Sequence, residues 1–337
     1  MKDTAQGTGT VAPDADAGAD VEEMPRVRLT RGRLIASAIF VVSTVAFLYF
    51  VLPKLLGLRD TWNRVQHGNG WWLGLAALLE VCSFGGYVLL FRGVFVRGES
   101  RIDWRASYEI TMAGLAATRL FASAGAGGIA LTAWALRRSG MEPRVVACRI
   151  IAFTALLYAV FMGSLVVVGV GLYLGVFPGE APFAITVIPA IFGASVIAIF
   201  LAVSLLPGDF DRLVARWLHG GRVGRLAAHI AAAPAAAASG VRTAIGLVRA
   251  RDKSLPGALA WWGFDIAVLW SCFHAFGEAP PPAVIVMSYF VGMLGNVLPL
   301  PGGIGGVDGA MIGAFTAFGV AAPLAVVAVL AYRAFAF

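Results

Sequence analysis

From Val145 to Val176 the chain runs without any charge except Arg149. Backbone polar groups in hydrocarbon must pair within their own segment, so a run like this has to be helical. It also exceeds the ~20 residues that a helix needs to cross a bilayer. Comparable apolar runs occupy 34–51, 72–95, 183–206, 258–276 and 323–337, the last being short for a span. Only 13% of the residues are charged and 59% are hydrophobic. A soluble domain carries about 25% charged residues, so composition excludes one. The expected fold class is all-α: a polytopic membrane protein of about six full spans.

Two further apolar segments are broken. The run LPLPGGIGGVDG, 298–309, lies between apolar flanks at 283–297 and 310–320. It holds Pro299, Pro301, Gly302, Gly303, Gly305 and Gly306, then one acid, Asp308. Pro removes a backbone donor and Gly costs about 1 kcal/mol against Ala, so no helix continues through it. Gly125, Gly127 and Gly128 break the segment 106–136 in the same way. Irregular backbone at membrane depth survives only against protein or a watery cavity, and transporters place substrate sites at such breaks. The bland reading is a surface turn between two spans.

Charge orients the chain. With the N-terminus cytoplasmic, 22 of the 26 cations, Arg333 included, fall on the cytoplasmic side. Lys54, Arg59 and Arg64 fall outside, and Arg119 is left within the membrane. The segment 106–136 must then enter and leave from the cytoplasmic side, and 283–320 from the outer side. Two Gly/Pro-broken hairpins of opposite sense, one in each half, point to an inverted repeat with a site between them.

Residues 1–33 read as a disordered cytoplasmic tail, and 34–337 as the transmembrane domain. The connection 207–255 reads as amphipathic and cytoplasmic. Phe210, Leu213, Val214, Trp217 and Leu218 share one helical face, suited to an anionic leaflet, and the Ala-rich stretch 231–248 reads as a second surface helix. The net charge of +7 is thus a topology signal and not a nucleic-acid one. Cys82, Cys148 and Cys272 match no metal or redox spacing, and no metal or cofactor is expected. Only three of the cations are Lys, and Ala and Gly abound, which suggests a GC-rich bacterial genome.

Glu80, Arg119, Asp265 and Asp308 lie in apolar surroundings, and Glu109 is within reach of Arg105 at i, i+4. A charge at the bilayer centre costs about 2.5–3.5 kcal/mol on insertion scales, so each needs a partner or a wet cavity. Arg119 offers paired, permanently charged donors suited to phosphate. Free backbone N–H groups among Gly302, Gly303 and Gly305 could receive an anion. Asp308 would then pair with Arg119 or take a proton, a cation or an amine. A structural ion pair is the alternative for every one of these acids. His274 and Asp265 are nine positions apart and face apart on a helix. No Walker loop, H-E-x-x-H or G-x-S-x-G occurs.

The run PGGIGGVDGAMIGAFTAFGV resembles a signature of the flippase-like membrane domain of lysylphosphatidylglycerol synthetases. ATRLFASAGAGGIALTAWALRRSGM resembles the family's earlier Gly-containing motif, and AYRAFAF its last helix. Asp308 stands where that signature usually has Glu, and the soluble aminoacyl-transfer domain is absent. The resemblance implies a plasma-membrane translocase moving a phospholipid or polyprenyl-linked lipid between leaflets, and leaves room for a homo-oligomer. Substrate-binding candidates are Arg119, Gly127, Gly128, Pro301, Gly302, Gly303, Gly305, Asp308, Glu80 and Asp265. The alternative is a membrane enzyme or accessory protein acting on lipid-linked sugars or phospholipids, with Asp265 and Asp308 as its carboxylate pair.

Overall fold

The computed structural model describes residues 68–97, 102–120, 126–205, 222–297, 303 and 305–336. The expected tail, the first span at 34–51, the helical face at 210–218, and Pro301 and Gly302 lie outside them, as does the side chain of Arg119. The described residues are all-α. Ten helices follow in order: α1 (Gly70–Phe95), α2 (Trp104–Leu120), α3 (Ala126–Arg138), α4 (Pro143–Tyr173), α5 (Phe183–Ser204), α6 (Arg222–Arg249), α7 (Leu255–Phe276), α8 (Pro282–Leu294), α9 (Gly306–Ala317) and α10 (Ala322–Ala336). A single 3-10 turn, Gly295–Val297, ends α8.

Four of these, α1, α4, α5 and α7, are long and apolar enough to cross a membrane. The helix starts follow local chemistry. Pro143 and Pro282 sit in first turns, where no backbone donor is needed. Asn69 caps α1 by accepting the Trp71 N–H at 3.0 Å. The final expected span is α10, only 15 residues long.

α1 and α7 pack along each other. The Ser83 hydroxyl donates to Trp261 O at 2.8 Å, and the Ser271 hydroxyl to Trp72 O at 2.7 Å. Each hydroxyl thereby satisfies itself across the helix pair, as polar residues between membrane helices do. The larger core cluster gathers Leu165, Val268, Leu269, Phe273, Tyr289, Phe290, Met311, Phe315 and Tyr332 from α4, α7, α8, α9 and α10. A second cluster joins Leu90, Phe95, Leu136, Phe153, Leu156 and Leu247 from α1, α3, α4 and α6. In it, α6 packs on α4 and α5 through the buried Ala238, Val241, Ala244 and Leu247 and keeps Thr243, Gly246, Val248 and Arg249 exposed.

The two ends of the bundle differ in chemistry. At one, Arg92 donates to Ser107 Oγ at 2.8 Å and lies over the Trp104 ring. There too Arg149 donates to Phe95 O, Arg242 to Ser204 O, and Arg97 pairs with Asp252. At the other end the Asn69 N–H bonds Ala275 O at 2.9 Å, joining the start of α1 to the end of α7. Gly179 approaches Val284 there, and Gly319 approaches the Glu180 carboxylate. The pair α2–α3 therefore starts and finishes at the basic end, and α8–α9 at the opposite end.

Candidate functional site

Between these hairpins lies a cavity of about 430 Å³. The α2–α3 hairpin contributes Thr111, Gly114, Thr118, Gly128 and Thr132, and the α8–α9 hairpin contributes Met293, Asn296 and Gly303. The long helices supply aromatic walls: Tyr87, Phe91 and Phe95 from α1, Phe153 and Tyr158 from α4, and Trp261 and Trp262 from α7. Asp265, Tyr289, Tyr332 and Arg333 complete it. The volume lies within the range of about 300–1,000 Å³ typical of small-molecule sites. Its wall is amphiphilic, with threonine hydroxyls and one guanidinium set in an aromatic surface.

Both hairpins depend on glycine here. A Cβ on Gly128 would lie 2.0 Å from Thr118 Oγ1 and 2.4 Å from Gly114 O, so only glycine lets α2 and α3 meet this closely. Gly303 holds φ +67° with its face buried against Asn296, a left-handed conformation open to glycine at little cost.

The charged residues form two neighbouring sets. Asp308 occupies the third position of α9 and is 2% exposed. Its Oδ2 accepts the Gly305 N–H at 2.9 Å, capping the helix. Its Oδ1 lies 2.7 Å from Nε of Arg333, whose side chain is 15% exposed. Asp265 accepts hydrogen bonds on one oxygen from the hydroxyls of Tyr289 and Tyr332, the latter at 2.9 Å. Since Tyr332 and Arg333 are adjacent in α10, one helix end serves both carboxylates.

The sequence reading offered Arg119 to Asp308 and counted Arg333 at the basic end; the structure sets Arg333 beside Asp308, and the Arg119 side chain lies outside the described residues. α10 begins at the opposite end and Arg333 is eleven residues into it, so it lies about 17 Å inward from that end. Asp308 and Asp265 sit at comparable distances, about 14–15 Å, from the C-terminal end of α9 and the basic end of α7 respectively. Glu80 is buried on the face of α1 that carries Ala76 and Ser83, outside the cavity lining. Gly127 stands beside Gly128 at the start of α3, and Gly305 is exposed at the start of α9. Arg119 is in the last turn of α2. Glu109 pairs with Arg105 at 2.9 Å, both exposed, as i, i+4 spacing allows. His274 is stacked on Trp72 and edge-on to Trp270, far from Asp265 along α7. Tyr289 and Tyr332 were not singled out in the sequence, because aromatic residues inside apolar runs read as core.

The sequence profile described as "Lysylphosphatidylglycerol synthase TM region" matches residues 34–337. The chain belongs to this family. It is a multi-pass membrane protein of a lipid-related family. A "UPF0104 membrane protein" from Methanothermobacter thermautotrophicus is 38% identical over 66 residues. That match spans 19% of this chain and 19% of the relative's length. No solved structure matches the chain.

Proposed function

We propose that the protein translocates an anionic-headgroup lipid, a phospholipid or a polyprenyl-linked one, between membrane leaflets. The observation that carries this reading is the cavity shared by two hairpins that enter from opposite ends, with Arg333 in its wall. Paired guanidinium donors suit a phosphate, and the threonine hydroxyls suit further headgroup oxygens. The aromatic surface suits the lipid's apolar part. Asp308 pairs with Arg333, and a phosphate would compete for the same donors. Arg119, Gly127, Gly128, Pro301, Gly302, Gly303 and Gly305 belong to the hairpin breaks that would flank such a headgroup. Asp265 and Glu80 would set the local charge.

Broken helices in corresponding positions of two halves are the pattern of an inverted repeat whose site lies between them. The concentration of arginines at one end supports a cytoplasmic basic end facing an anionic leaflet, with the N-terminus cytoplasmic and the protein in the plasma membrane of a bacterium. The test is a proteoliposome scan of fluorescent phospholipids and polyprenyl-phosphate lipids, with and without a pH gradient. Protein-dependent exchange between leaflets of at least one of them is expected. Failure to move any of them, by protein that remains folded, overturns the proposal.

A further inference from the structure

A second cavity, about 330 Å³, lies between α4, α5 and α6. Its wall is almost wholly aliphatic, made by residues such as Met162, Ile197, Leu201, Ala244 and Val248. Two polar side chains join this apolar wall: Tyr158, which also lines the central cavity, and Arg249 at the end of α6. Two of the three walls are helices long and apolar enough to span a membrane, and α5 turns Ile191, Phe192 and Ile199 outward. A groove that opens on such a surface meets hydrocarbon and not water. From Val241 to Arg249 it follows α6 for about 12 Å, close to the ~15 Å hydrocarbon depth of one leaflet.

Arg249 supplies the charge. It lies in the last turn of α6, at the basic end of the bundle, and is exposed. No carboxylate among the described residues engages it, whereas nearby Arg97 is taken up by Asp252 and Arg242 by Ser204 O. An apolar trough with a guanidinium at its interfacial end, unpaired among the described residues, complements one class of molecule, an anionic phospholipid.

We infer that this groove is a phospholipid-binding site, with an acyl chain between α4, α5 and α6 and the phosphate on Arg249. The site is separate from the central cavity and does not require that the protein move lipid.

The test uses the full chain in nanodiscs containing phosphatidylglycerol with a diazirine on its acyl chain, with diazirine-bearing diacylglycerol as the headgroup-free control. After irradiation, labelled peptides are mapped by mass spectrometry. Phosphatidylglycerol should label the groove faces of α4, α5 and α6 above the outward face of α5. Arg249→Gln should lower that groove label roughly tenfold, equivalent to ~1.4 kcal/mol, without changing labelling by diacylglycerol. Val248→Trp fills the trough from an exposed position and should remove the groove label, leaving the outer face of α5 labelled as before. Ala244→Trp is the deeper variant, read only if its thermal unfolding matches the parent. Uniform labelling around α5 that neither Arg249→Gln nor Val248→Trp alters would overturn the proposal, since it would mean annular lipid only.

Discussion

Separating Arg333 from Asp308 tests the centre of the site. The pair is nearly closed to solvent, at 15% and 3% side-chain exposure, with 2.7 Å between Nε and Oδ1. Removing one partner of a buried pair leaves an uncompensated charge and typically costs about 3–5 kcal/mol. Arg333→Met should fall at the low end of that range, because Asp308 keeps the Gly305 N–H on its other oxygen. Asp308→Asn retains an amide oxygen for that cap but strands the guanidinium, so a similar loss is expected. The double variant removes both charges and should be more stable than the sum of the single losses implies, with a coupling of at least ~1 kcal/mol. Unfolding of purified protein in detergent measures stability, and proteoliposome exchange measures activity. The double variant should recover stability without recovering exchange. Additive losses would refute the pairing, and full exchange by a stable Arg333→Met protein would refute the guanidinium's role.

Three further outcomes are expected. In a background lacking Cys82, Cys148 and Cys272, Arg138→Cys and Glu278→Cys should react with an impermeant reagent from opposite sides of the membrane, and reaction from one side would contradict the two-ended bundle. Gly128→Val should force α2 and α3 apart, costing about 1–3 kcal/mol and abolishing exchange, because its Cβ would overlap Thr118 Oγ1 and Gly114 O. Hydrogen bonds from Ser254, aided by Arg97, hold the Asp252 carboxyl at about 2, below its ordinary 3.8. A depressed carboxyl stabilises the fold above its unfolded pKa and ceases to as pH falls from about 4 towards 2. Asp252→Asn should therefore lower stability at pH 7 by roughly 1 kcal/mol, after allowance for solvent screening, and this difference from the parent should shrink as pH falls from about 4 and vanish below about pH 2.

The long helices were legible because hydrocarbon leaves no alternative for an apolar backbone, and the hairpin breaks because Gly and Pro clusters interrupt those runs. Asp265 and Asp308 stood out as acids in apolar sequence. Arg333 was counted at the basic end because charge counting assigns a cation to the nearest expected surface, whereas its position eleven residues into α10 sets it beside Asp308. Tyr289 and Tyr332 carry no sequence signal, since what distinguishes them is the carboxylate they meet across three helices. The Ala-rich α6 read as a surface helix because alanine gives little facial contrast, and only packing on α4 and α5 shows which side is buried.

The route itself is tested by filling the central cavity. Thr154 and Thr132 line it from α4 and α3. Thr154→Trp and Thr132→Trp should each block exchange of whichever lipid the parent protein moves, with thermal unfolding in detergent close to the parent's. Exchange at the parent rate by either folded variant would contradict the cavity as the path.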